Sequence, residues 1–268
     1  MATPNLSEII TTTLRNRSKS LADNVTNHNA LLRRLSENGN ISTVTGRQIV
    51  RELEYASNST VGFYTGYETL DVSPSDVLTS ATFSYKQMAG NVTISGLEQI
   101  QNSGTEAIIN LLESRIGVLE KTMSNTLSTS LYSDGTGTSG KEVGGLQLIV
   151  ADAGTGTVGG INSSTYTFWQ NAQTTATSSA FSTTNVQADM NTIYLSLVRG
   201  SDSPDLIMAD TNSYKSFLGS LQAIQRVTSD RVATSGFTSV QYLNSDVIFD
   251  DACPTNKMYF LNTDYLRL

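Results

Sequence analysis

The feature that most limits how this chain can fold is the stretch from Ser103 to Tyr132, SGTEAIINLLESRIGVLEKTMSNTLSTSLY, which reads as one long amphipathic helix. Ser103 and Glu106 form a capping box, each side chain meeting a backbone N–H that the first turn leaves unpaired. Ile108, Leu112, Ile116, Leu119, Met123, Leu127 and Leu131 then recur at steps of four and three and share one stripe. The opposite face carries Asn110, Glu113, Glu120, Lys121, Ser124 and Ser128. From the rise per residue of an α-helix the element is ~40 Å long, enough to cross a whole domain, and its charges exclude a membrane span.

The rest of the chain supplies little chemistry. Cys253 is the only cysteine, so a disulfide within the chain and a metal site built on thiolates are both excluded. His28 is the only histidine; it falls on an apolar stripe and reads as a core residue, which leaves no donor set for zinc and no histidine base. No segment is apolar over the ~20 residues a membrane helix needs, and the N-terminus lacks the apolar run of a cleaved signal, so a soluble cytoplasmic product is expected. The net charge of −7 disfavours a general affinity for nucleic acid or anionic membranes. Charged residues are only 15% of the chain while uncharged Ser, Thr, Asn and Gln abound, a surface suited to burial against copies of itself.

In chain order, residues 5–36 form a second amphipathic helix candidate, with Leu6, Ile9, Ile10, Leu14, Leu21, Val25, His28, Leu32 and Leu35 on one face and Gly39 as its stop. Arg15, Arg17, Lys19, Arg33 and Arg34 make it the most basic part of an acidic chain, a solvated face or a contact for nucleic acid or an acidic partner. Residues 47–56 (RQIVRELEYA) read as a helical turn. The period then changes: Ser59 to Leu70 and Ala81 to Ser95, rich in β-branched and aromatic residues, read as two strands joined through Pro74 and Asp76. A two-stranded ribbon cannot bury both faces, so Tyr64, Tyr67, Phe83 and Tyr85 need a surface to lie on, in this chain or a neighbouring one.

Beyond the long helix, Gly135 and the Gly140-Lys141 pair nearly match a phosphate-cradling loop. Glu142 replaces the hydroxyl that would hold magnesium, and a helix stands where a strand must precede, so the tracts 133–145 and 152–160 are read as loops around a short strand, Leu146 to Val150. Phe168 and Trp169 read as a core anchor. Thr183 to Arg199 reads as a helix stopped by Gly200, Asp205 to Ala209 as a buried strand, and residues 211–225 as a helix capped by Asp210 or Thr211. Residues 237–268 supply three short strands, and the second half reads as a compact α/β or α+β domain. Asp246, Asp250 and Asp251 are close in sequence with no partner acid, base or metal donor beside them; they read as turn and strand-end residues, Cys253 as a buried thiol, and the chain as no enzyme.

This succession, with TSATFSYKQMAGNVTISGLE (Thr79 to Glu98) running into the long helix, DGT and GGLQLIV between Asp134 and Val150, and DVIFDDACPTNKMYFLNTDYLRL (Asp246 to Leu268), resembles the major capsid proteins of tailed bacteriophages. Those share the Hong Kong 97-like capsid fold, seen also in encapsulins and the herpesvirus capsid floor. The resemblance implies an α+β chain. Residues 1–46 would be a helical N-terminal arm. Residues 47–144 would be a peripheral domain with an extended β-loop (about 57–96) and a spine helix (103–132), residues 145–264 an α/β axial domain, and residues 265–268 the start of an incomplete return to the peripheral domain.

By the same resemblance, Tyr64, Tyr67, Phe83, Tyr85 and Lys86 would make intersubunit contacts, and Arg15, Arg17, Lys19, Arg33 and Arg34 would face DNA or scaffold. No crosslink at Lys86 is expected. The implied role is a structural virion protein that self-assembles as hexamers and pentamers into an icosahedral head around double-stranded DNA. Portal, scaffolding and cement or decoration proteins would be its partners, and assembly would take place in the host bacterial cytoplasm. No cofactor, metal, membrane or small-molecule substrate is implied. An encapsulin-like compartment shell is the alternative, followed by a flagellin-like filament subunit, which the strand-like C-terminus disfavours.

Overall fold

Four consecutive residues, Leu206 to Ala209, are completely buried, and the molecule is layered around them. The computed structural model describes residues 29–41, 46–101, 111–177, 181–221 and 240–268. Along the chain these form α1 (Ala30–Glu37), β1 (Ile49–Glu54), β2 (Leu78–Phe83), α2 (Gly96–Gln101), α3 (Leu111–Ser130), β3 (Thr157–Val158) and β4 (Ile161–Asn162). There follow α4 (Val186–Leu197), β5 (Leu206–Ala209), α5 (Thr211–Ser220), β6 (Val240–Tyr242), β7 (Ser245–Phe249) and β8 (Met258–Leu261).

The last four strands make one sheet in the order β6-β7-β5-β8, with β5 parallel to β7 and antiparallel to β8. Strand residues alternate between its faces. Leu206, Met208, Ile248, Tyr259 and Leu261 meet Ala30, Leu31 and Leu35 of α1 together with Leu131, Tyr132 and Leu146. Ile207, Ala209, Val240 and Val247 meet Val186 and Met190 of α4 and Tyr214 and Phe217 of α5. A strand covered on both faces reads in sequence as the unbroken apolar run LIMA, as expected of a buried parallel pair. Each such side chain contributes ~1.5–3 kcal/mol by leaving water. Helix α5 starts where the sequence placed it, with the Asp210 carboxylate accepting from the N–H groups of Asn212 (3.2 Å) and Ser213 (3.1 Å).

Several expectations in the first half are corrected. Residues 49–54, read as helical, form the first strand of a ribbon. They pair antiparallel with β2 from Ile49–Phe83 to Glu54–Leu78, so a ladder partner overrides the helix-favouring Arg, Glu and Leu. The ladder closes with the Tyr55 N–H on Val77 O at 3.0 Å. Ser59 to Leu70 is therefore the loop of the ribbon and not a strand. Residues 84–95 run on as a strap over α3, pinned by the Arg115 guanidinium, which donates to Thr93 O (2.8 Å) and pairs with Glu98 (3.2 Å). Gly90 lies so close to the helix that an added Cβ would come within 2.6 Å of Leu119 Cδ1.

Leu146–Ile149 is a helical turn, because the Leu146 N–H bonds back to Leu131 O at 2.7 Å and the bonds that follow are helical. Phe168 and Trp169 anchor no core. They lie with Tyr55 and Tyr166 at the root of the ribbon, Tyr55 and Phe168 having ring centroids 5.2 Å apart, and Trp169 Nε1 donates to Val158 O at 3.1 Å. Gly159 and Gly160, at φ 58° and 83°, make the two-residue turn between β3 and β4; Gly159 O receives the Thr82 N–H at 2.9 Å, which props this small hairpin against β2.

The long helix departs most from its sequence pattern. Its capping box and Ile108 lie outside the described residues. Within α3 the buried residues are Leu111 and Ser128, the latter expected on the polar face, while Leu112 and Ile116 of the apolar stripe are 48% and 42% exposed. Helix α1 packs against α3, and Asn29 Nδ2 donates to Ser124 Oγ (3.3 Å) and Asn125 Oδ1 (3.1 Å). From Leu112 to Leu127 the stripe is thus a half-covered surface of the subunit, and only at Leu131 does it enter the core.

Candidate functional site

Among the described residues no group of three or more His, Cys, Asp or Glu is placed to hold a metal ion. Of the three carboxylates singled out in the sequence, Asp246 and Asp250 serve the fold, while Asp251 is exposed. Asp250 is fully buried and accepts the Leu31 N–H (2.9 Å), the Tyr132 hydroxyl (3.2 Å) and the Ala252 N–H (3.0 Å). It caps α1 from the far end of β7, while Asn29, at the ordinary cap position, makes no side-chain cap. Burial, reinforced by the Asp250 charge, raises the Tyr132 pKa well above that of a free phenol. Asp246 pairs with Arg34 at 3.0 Å. Burial likewise pushes the Cys253 thiol up, which keeps it protonated and unreactive. Around Lys141, Glu142 accepts from the Thr138 hydroxyl at 3.1 Å, placing a negative charge where a phosphate would need none.

What the chain does offer is the ribbon loop. Its shape is set by side-chain-to-backbone turns, not by ladders. Asn58 Oδ1 accepts the Thr60 N–H at 2.9 Å, Glu68 Oε2 the Thr65 N–H at 3.2 Å, and Asp71 Oδ1 the Ser73 hydroxyl (2.6 Å) and N–H (2.9 Å). The bonds from Ser73 lower the Asp71 pKa, side chain first and backbone second. On this polar frame the apolar side chains stand in solvent. Phe63 and Tyr67 are as exposed as in an extended peptide, at 109% and 104%, with Val61, Tyr64, Leu70 and Val72 also exposed. Burying any one of these rings releases ~1.5–3 kcal/mol, and a contiguous exposed apolar patch marks an interaction surface. A loop held in shape in advance also loses less entropy on docking.

The five ribbon residues named from the sequence do not form one cluster. Tyr64 and Tyr67 lie on the loop, Phe83 is half-buried at the end of β2, Tyr85 is exposed on the strap, and Lys86 Nζ donates to Gly140 O at 2.5 Å. Of the basic residues, Arg15, Arg17 and Lys19 lie outside the described residues. Arg33 pairs on the surface with Glu37 (3.0 Å). Arg34 is corrected: its guanidinium is buried against Asp246, which removes it from the surface a nucleic acid or scaffold could touch. Phe63, the most exposed ring among the described residues, was not singled out, although it stands in the same aromatic run as Tyr64 and Tyr67. A second apolar area, Leu97 and Ile100 of α2 with Leu112, Ile116 and Val118 of α3, was missed because helical spacing alone cannot tell a core stripe from a docking stripe.

No protein-family model matches this sequence, and no curated protein matches it. In three dimensions it is similar to the solved structure described as the cyanophage A-1(L) capsid asymmetric unit. The TM-score is 0.72 and the identity 19%, over 95% of this chain and 78% of that one. The chain therefore has a phage capsid-like fold with mixed helix and sheet.

Proposed function

We propose that this chain is a structural shell protein, a major capsid protein that self-assembles as hexamers and pentamers into an icosahedral phage head around double-stranded DNA. In this reading it is no enzyme and belongs to the virion after assembly in the host cytoplasm. The peripheral part is residues 47–144, the axial part residues 145–264, and residues 57–96 lie across the adjacent subunit. Arg33, with Arg15, Arg17 and Lys19, faces DNA or scaffold, and portal, scaffolding and decoration proteins are the further partners.

The observation that carries this reading is the full exposure of Phe63 and Tyr67 on a loop with its own turn bonds, in a chain of capsid-like fold. A soluble subunit gains nothing from holding two aromatic rings in water; a neighbouring subunit gives them a place. The test is the pair Phe63→Ser and Tyr67→Ser. Because both rings make no contact worth keeping within the subunit, its unfolding midpoint stays where it was, while sedimentation and electron microscopy find no closed shells. Normal shells from the double variant rule out the loop as an intersubunit element.

A further inference from the structure

Strand β8 is an outer strand of the main sheet, paired on one side with β5 and with no described strand on the other. The Asp210 N–H reaches Lys257 O at 3.2 Å and the Asp205 N–H reaches Leu261 O at 3.0 Å, so Lys257, Tyr259 and Leu261 turn their backbone groups toward β5. By the alternation of an antiparallel ladder, the N–H and C=O of Met258 and Phe260 point to the open side. Beside them runs a cavity of about 470 Å3. It is lined by Met258 and Phe260, whose side chains belong to one face of the sheet, and by Tyr259, whose side chain belongs to the other. A hollow touching both faces of one strand lies along its edge. Ile193 and Leu197 of α4 form an apolar wall, and the Lys257–Asp152 ion pair (2.7 Å) stands beside it. The Tyr259 side chain packs away from it, against Tyr132 in the core of the opposite face. Edge backbone groups turned to the open side, a hollow beside them and an apolar wall describe a slot for one more strand.

We propose that the slot takes a segment of this chain's own N-terminal arm, centred on Ile9 to Thr13, as a fifth strand antiparallel or parallel to β8. Position argues for it. The Leu31 N–H at the start of α1 is bound to Asp250, whose own N–H bonds Ala209 O (3.0 Å), and Ala209 pairs with Met258. The Tyr132 ring, bonded to the same carboxylate, is 6.0 Å from that of Tyr259. The arm therefore leaves the described fold about three strand spacings, ~15 Å, from the slot, a gap that ~5 extended residues cross. Residues 1–28 precede that point, and among them Ile9-Ile10-Thr11-Thr12-Thr13 is an unbroken β-branched run. Such a run is crowded in a helix and favoured in a sheet, which sets this segment apart from the helical spacing of its apolar residues.

The test is amide-resolved hydrogen exchange on the full chain, held unassembled and measured at two concentrations tenfold apart, so that it stands whether or not the subunit builds shells. The Met258 and Phe260 amides exchange at least about tenfold more slowly than unstructured peptide. In the variant Ile10→Pro with Thr12→Pro, which removes two donors from the added strand, they exchange at the unstructured rate. The Ile207 and Val247 amides stay slow in both proteins, certifying the fold. Fast exchange of Met258 and Phe260 in the parent protein overturns the proposal, as does slow exchange that survives the prolines. Protection that rises with concentration overturns it too, since a second copy would then be the occupant.

Discussion

Replacing Asp250 tests the joint on which the N-terminal part of the chain depends. Its carboxylate accepts from donors on three parts of the described chain, among them the Leu31 N–H at 2.9 Å, the Tyr132 hydroxyl at 3.2 Å and the Ala252 N–H at 3.0 Å. Asp250→Ala leaves the Leu31 and Tyr132 donors buried without acceptors, at about 1–3 kcal/mol each, and loses the charge-assisted part of both bonds, while the desolvation cost of a buried carboxylate is recovered. The net is a loss of about 3–5 kcal/mol. Asp250→Asn keeps one acceptor oxygen and should lose about 1–3 kcal/mol. Helix α1 has only eight residues and no cap of its own, so it cannot persist once undocked. The assay is urea unfolding of the unassembled subunit together with exchange at the Leu31 amide, and Tyr132→Phe combined with Asp250→Asn should show a coupling of about 0.5–3 kcal/mol. An alanine variant within about 1 kcal/mol of the parent, with the Leu31 amide still protected, refutes the assignment of Asp250 as the remote cap.

Three further outcomes follow from the same geometry. Arg34→Met strands Asp246 as an uncompensated buried charge and should destabilise by about 3–5 kcal/mol, whereas Arg34→Met with Asp246→Leu recovers most of that loss in the same urea experiment. An added Cβ at Gly145 would lie 2.3 Å from Leu131 O, a backbone atom that cannot swing aside, so Gly145→Ala should lower the thermal midpoint by several degrees in calorimetry. The folded chain holds the protons of Cys253, Tyr132 and Tyr259 to higher pH than the unfolded chain, chiefly through burial. The unfolded state therefore binds fewer protons above the ordinary thiol and phenol values of 9.0 and 10.0, and stability, complete below them, falls as pH rises past them. The Cys253 contribution declines by up to ~1.4 kcal/mol per pH unit, and Cys253→Ala should flatten the urea midpoint between pH 9 and 10.

How far the sequence could be read depended on whether local pattern and tertiary surroundings agreed. Leu206 to Ala209, the Asp210 cap and the strands about Val247 and Tyr259 were legible because alternation, capping and burial all point one way there. Residues 49–54 were not, since Arg51, Glu52, Leu53 and Glu54 are good helix formers and only the facing β2 makes them a strand. Ser59 to Leu70 misled in the opposite sense: its aromatic and β-branched residues have strand composition, but among the described residues no strand pairs with them. Composition there registers apolar and aromatic side chains that no ladder within the described fold covers. Leu112 and Ile116 repeat the lesson on a helix, where correct spacing says which face is apolar and not what covers it. Arg34 looked like part of a basic face because its partner, Asp246, is distant in sequence.

The most direct test of the central claim is single-particle electron microscopy of the purified parent protein. The account requires closed hollow shells in which Phe63 and Tyr67 of each subunit are packed against its neighbour. A monodisperse monomer under all assembly conditions, or shells in which that loop stands free in solvent, contradicts it.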